Sequence, residues 1–215
     1  MSDQIVFGEN RNRADLVRRG RWLEYFTIIY NSLEGIIAIG AGVVAGSIAL
    51  VGFGFDSLIE VTSGAALLWR LHADVDKERR ERVEAISLRI VGLCFVVLAI
   101  YVGFDSIKSL WKQETPAASL PGIVLAAISL VVMPLLVRAK RKVARGIKSN
   151  ALMADSKQTE LCTYLSAILL GGLLLNALLG WWWADPVAAL VMVPIIAKEG
   201  IEALRGETYC EDQCH

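Results

Sequence analysis

The sequence predicts an all-α membrane protein, a bundle of six transmembrane helices with both termini in the cytoplasm. Hydrophobic residues make up 55% of the 215-residue chain and the mean hydropathy is +0.50, too apolar for an ordinary water-soluble domain. Six stretches, roughly 22–44, 47–70, 85–107, 120–137, 150–178 and 182–203, have the length of about 20 residues that a helix needs to cross a bilayer. The net charge is zero, yet the basic residues gather in alternate connections, which by the positive-inside rule sets the orientation.

Residues 1–21 form a polar cytoplasmic segment whose Arg11, Arg13, Arg18, Arg19 and Arg21 precede the first span. On a helical wheel Glu24, Thr27, Asn31 and Glu34 fall within an arc of about 80°. That stripe faces protein or water, serving either interhelical hydrogen bonds or, through Glu34 and Asn31, an ion path. The second span holds Asp56 and Glu60, with Ser63 on the same face and Gly46, Gly52, Gly54 and Gly64 permitting close helix approach. Lys77, Arg79, Arg80 and Arg82 follow it. In the third span Asp105 has Lys108 one turn away, a structural pair. Arg138, Lys140, Arg141, Lys142, Arg145 and Lys148 follow the fourth span as a further topology signal.

The fifth span carries Asp155, Gln158, Thr159, Cys162, Ser166 and Asn176 on one broad face, while Lys157 and Glu160 are spaced to pair with each other. Trp181, Trp182 and Trp183 suit an outer interfacial belt, and Asp185-Pro186 suits a helix's first turn. The transmembrane domain thus covers 22–206. Residues 207–215 form a cytoplasmic tail in which Cys210, Cys214 and His215 offer transient metal capture. The first span is too long and too acidic for a cleaved signal. The cysteine placement argues against a disulfide framework. Ten-residue alternating strands are absent from the pattern, no nucleophile, base and oxyanion arrangement suggests an enzyme, and the basic runs read as topology rather than nucleic-acid binding.

Asp56 and Glu60 carry the chemistry. An acid at mid-bilayer costs roughly 2.5–3.5 kcal/mol on insertion scales and usually pairs or marks an ion path. At i,i+4 the two side chains leave one face with Cβ atoms about 6 Å apart, which suits a shared divalent cation or proton. Because the second span runs inward and the fifth outward, Asp56 is expected level with Cys162 and Glu60 level with Gln158. Four donors of oxygen and sulfur fit tetrahedral zinc better than magnesium or calcium. Asp155 is expected to act as a gate or supporting acceptor on the cytoplasmic side, with Thr159, Glu34 and Asn31 as further supporting groups. An internal echo strengthens the pairing: Ser47-Ile48-Ala49-Leu50 aligns with Ser149-Asn150-Ala151-Leu152, and that register sets Asp56 against Gln158 and Glu60 against Cys162.

The six-span order, the Ser-x-Ala-Leu element before the acidic pair, its return before Ala154-Asp155, and Trp183-Ala184-Asp185-Pro186 together resemble the cation diffusion facilitator family over residues 22–206. The resemblance implies a dimeric exporter of zinc and related divalent metals in exchange for protons, with its central site on the second and fifth helices. Carried onto this chain, the ligand pairs fall on Asp56 and Glu60, and on Gln158 and Cys162. Gln158 and Cys162 depart from the family's usual histidine or aspartate, and Phe53 stands where many members have aspartate. The chain looks like a compact, membrane-only branch without the family's cytoplasmic C-terminal domain, set in a cell membrane, the bacterial inner membrane being favoured. Its expected partners are divalent metal ions, the lipid bilayer and a second copy of itself, with no nucleic acid. Two other readings stand beside transport: a non-transporting metal-sensing or scaffold protein, and a proton-coupled organic-cation carrier, which needs an aromatic cage near Asp56 from Phe53, Phe55 and Tyr164.

Overall fold

The computed structural model describes residues 2–72, 77–147 and 149–205, with side chains for 15–69, 89–147, 149 and 152–205. Its described residues form six α-helices: α1 (Ser2–Ala45), α2 (Ile48–His72), α3 (Lys77–Lys112), α4 (Leu120–Ile147), α5 (Asn150–Leu179) and α6 (Ala184–Arg205). The predicted fold class is correct. Three helices outrun their apolar cores, since α1 begins at Ser2, α3 runs from Lys77 to Lys112 around the expected 85–107, and α4 continues past the expected end near 137 to Ile147. Five helices are long and apolar enough to cross a membrane. The sixth, α6, is a 22-residue helix whose sequence includes Asp185, Lys198, Glu199 and Glu202.

Helices α1, α2, α4 and α5 pack into a four-helix unit, and α3 and α6 pair with each other and lean on α2 and α5. Leu50 and Phe53 of α2, Phe95 and Val102 of α3, Leu165, Leu169 and Leu173 of α5, and Met192 and Ile196 of α6 form the main apolar core. Large apolar side chains such as Ile36, Val44, Ile100 and Leu178 point outward. Buried polar groups within an apolar exterior suit a lipid solvent, because backbone groups are satisfied inside each helix.

Close approach depends on glycine where helices cross. A Cβ on Gly54 would lie 2.9 Å from the Ile39 nitrogen of α1, and one on Gly92 would lie 2.8 Å from the Gly200 carbonyl oxygen of α6. Contact at backbone range is how small residues hold membrane helices together. Gly46 differs from the expectation of close approach. It lies in the α1–α2 turn at φ +68° with open space where a Cβ would stand, so the chain uses its left-handed conformation there.

The repeated Ser-x-Ala-Leu element is a helix start. Ser149 caps α5 by accepting from the Leu152 amide, and Ser47 accepts from the Leu50 amide at 3.1 Å. The α2 start has a second support from far along the chain. Asp185 of α6 accepts the Ser47 hydroxyl at 2.5 Å and the Ile48 amide at 2.9 Å, placing a carboxylate at the positive end of α2. Asp185 is therefore a remote cap for α2. Asp185→Ala leaves a buried hydroxyl and amide unpaired and should cost about 2 kcal/mol, read as a lower unfolding midpoint in detergent. An unchanged midpoint would contradict the cap.

Candidate functional site

Helices α2 and α5 bring Asp56, Glu60 and Cys162 together in the interior, each no more than 3% exposed. The Cys162 Sγ lies 2.8 Å from Glu60 Oε2 and 3.0 Å from Asp56 Oδ2. A thiol has one hydrogen and can donate to only one of these oxygens. The other contact joins two acceptors, so the trio is complete only with a further proton or a cation. Among the described residues no three His, Cys, Asp or Glu side chains surround a point as a ready-made ion cage; these three groups touch one another instead.

Thr159 stands beside them. Its hydroxyl donates to Glu60 Oε1 at 2.7 Å, the place expected for Gln158. Gln158 is buried, but no hydrogen bond links it to the acidic pair, and its amide nitrogen has no partner. Glu60 thus bonds to Thr159, the residue beside Gln158, at nearly the depth expected. Residues 155, 159 and 162 form the stripe at i, i+4 and i+7 that α5 turns to α2, and Gln158 lies at its edge.

Two further clusters flank the trio. Glu34 of α1 accepts from Ser57 Oγ of α2 at 2.9 Å and from the Ser129 hydroxyl of α4. With the Ser129 hydrogen so used, Tyr30 donates to Ser129 across 2.8 Å. On the other side Lys140 of α4, 0% exposed, meets Asp155 Oδ2 at 2.5 Å, Thr159 Oγ1 at 3.2 Å and Glu24 at 3.4 Å. Lys140 is thus an interior ion-pair partner and not a solvent-facing topology residue. Two acids from α1 and α5 supply the compensation that a buried ammonium requires, and α4 continues through it.

Other expectations fare differently. The α1 stripe of Glu24, Thr27, Asn31 and Glu34 is buried throughout, and both polar atoms of the Asn31 amide lack a partner. Asp105 and Lys108 pair at 3.4 Å. Glu160 accepts from Arg141 of α4 at 2.6 Å. Phe53 is in the apolar core while Phe55 and Tyr164 are exposed, so the three form no aromatic cage. Cys210, Cys214 and His215 lie outside the described residues. A lateral groove between α5 and α6, lined by Lys157, Tyr164, Lys198 and Glu199 among others, includes none of the trio. The three side chains of the trio are buried, and Cys162 should resist a membrane-permeant maleimide in the folded protein, as mapped by peptide mass spectrometry. Labelling as fast as that of the exposed Cys94 would refute the enclosure.

Comparison with known proteins gives the family. The chain is 26% identical to an uncharacterized transporter of Methanocaldococcus jannaschii over 178 residues, covering 80% of this chain and 62% of the relative. It is 26% identical to the magnetosome protein MamB of a Magnetospira species over 84% of this chain and 62% of that protein. It is also 22% identical to transmembrane protein 163 of Xenopus laevis over 87% of this chain and 66% of that protein. The chain spans about three-fifths of the length of the first two relatives. The family model described as the cation efflux transmembrane domain matches residues 25–208. Five membrane-length helices, an all-α bundle and that match over most of the chain make this a multi-pass membrane protein that belongs to the cation efflux family.

Proposed function

We propose that this protein exports a divalent transition-metal cation from the cytoplasm in exchange for protons by alternating access, with zinc the favoured cargo. The observation that carries this reading is the buried thiol between two carboxylates on facing helices. Asp56 and Glu60 supply charge, Cys162 adds softness that favours borderline metals, and Thr159 holds Glu60 in place. Family membership and the transporter named among the relatives support it. Residues 22–206 are the proposed transport unit, the two ends of the chain are cytoplasmic, and a homodimer in a bacterial inner membrane is the proposed setting.

The mechanism follows from what the trio lacks. The Cys162 sulfur stands 2.8–3.0 Å from the two carboxylates. Around tetrahedral zinc a sulfur-to-oxygen edge is about 3.5 Å, so metal entry spreads the side chains by about half an ångström. Metal ligands must be deprotonated, so loading expels protons and reprotonation expels metal. The trio is buried in this conformation, and alternating access would open it to one side at a time for loading and release. Gln158 lies at the edge of the same stripe with its amide nitrogen unpartnered, and its amide oxygen is the proposed fourth ligand.

Zinc-driven proton movement in proteoliposomes tests the proposal. The unaltered protein should acidify the metal-loaded side and Asp56→Ala/Glu60→Ala should abolish the flux; equal flux in that variant would defeat the assignment. Apparent zinc affinity should rise with pH, as binding competes with protons. Thr159→Val, which removes the donor to Glu60, should weaken zinc binding by about 10- to 100-fold, measured calorimetrically. Tight zinc binding with no flux in the unaltered protein would favour the sensing or scaffold role instead.

A further inference from the structure

Four oxygens surround the Lys140 ammonium: Asp155 Oδ2 at 2.5 Å, Thr159 Oγ1 at 3.2 Å and both Glu24 oxygens at 3.4 Å. They come from α1 and α5, the ammonium comes from α4, and Gly64 of α2 stands against the Glu24 carboxylate. All three oxygen-bearing residues are buried. Two carboxylates and a hydroxyl around one enclosed point are the donor set of a hard divalent cation. The set is also incompletely used: Asp155 Oδ1 has no partner, and Glu24 Oε1 receives no hydrogen bond although the ammonium lies near it. An ammonium has three hydrogens for what is a richer set of acceptors.

We propose that Lys140 is a tethered cation occupying a second cation cradle, formed by Glu24, Asp155 and Thr159, which would otherwise bind a diffusible divalent ion. The cradle adjoins the Asp56, Glu60 and Cys162 trio through Thr159, whose hydroxyl accepts from Lys140 and donates to Glu60. Holding that place with a side chain keeps a second ion out of the polar interior, so the protein carries one exchangeable ion per chain. The lysine also takes up an acceptor position of the Thr159 hydroxyl, whose hydrogen goes to Glu60 at 2.7 Å in preference to the Asp155 carbonyl at 3.2 Å. This goes beyond the proposed transport site, and its oxygen-only donor set predicts a different metal preference, toward manganese over softer ions.

The test is the number of manganese ions retained per chain by the full-length protein in detergent, measured by elemental analysis after size-exclusion chromatography. Lys140→Met should bind one manganese more than the unaltered chain. Lys140→Arg, which restores a tethered cation, should bind no extra ion, and Lys140→Met/Glu24→Gln should lose the gain. The increment should persist when Asp56→Ala/Glu60→Ala is added, which separates this cradle from the trio: failure of the trio assignment alters the starting count, whereas failure of the cradle removes the increment. A folded Lys140→Met chain with no additional ion would overturn the proposal. If Lys140→Met aggregates without metal, manganese present during purification should restore a monodisperse protein, and aggregation despite manganese would equally overturn it.

Discussion

Charge compensation in a low-dielectric interior governs this structure. Glu24, Glu34, Asp56, Glu60, Asp155 and Lys140 are all enclosed among helices whose outer faces are apolar. Each ion left alone there would cost several kcal/mol. The four-helix unit answers by bringing donors from other helices against the acids: Lys140 for Glu24 and Asp155, Thr159 for Glu60, Ser57 and Ser129 for Glu34, and a single Cys162 hydrogen between Asp56 and Glu60. The hydrogen bonds tie α1, α2, α4 and α5 at fixed depth and rotation, a job that apolar packing between Leu-rich helices does less selectively.

Compensation is incomplete where chemistry is expected. The thiol between two carboxylates is one positive charge or proton short, and the unpaired Asn31 amide and Gln158 amide nitrogen are buried on α1 and α5. A fully satisfied network would be rigid and inert. Here the deficit sits between α2 and α5, whose mutual position is the one that metal loading and proton return would need to alter.

Much of the arrangement was legible from residue spacing. The i,i+4 acids, the polar face of α5 and opposed chain directions sufficed to bring residues 56 and 60 against 162. Spacing left the rotation of α5 uncertain by one residue, which is why Thr159 and not Gln158 meets Glu60. Lys140 was not legible, because a lysine in a run of six basic residues carries the same local signal whether it faces water or protein; only the placement of Glu24, 116 positions away, distinguishes them. Asp185 is legible as part of its own helix start, while its role at the α2 start depends on an amide 137 positions distant. Local periodicity encodes faces and depths, and long-range electrostatic partners appear only when the helices are docked.

The Asp185 clasp has a mechanical consequence. It fastens α6 to α2 at one end of both helices, where Ser47 and Ile48 lie, and the Gly92 and Gly200 contact makes α3 travel with α6. A lever clamped at one end sweeps its widest arc at the other. Any rocking of the α3 and α6 pair would therefore pivot at Asp185 and be greatest around Lys198 and Glu202, the charged rim of the groove beside α5.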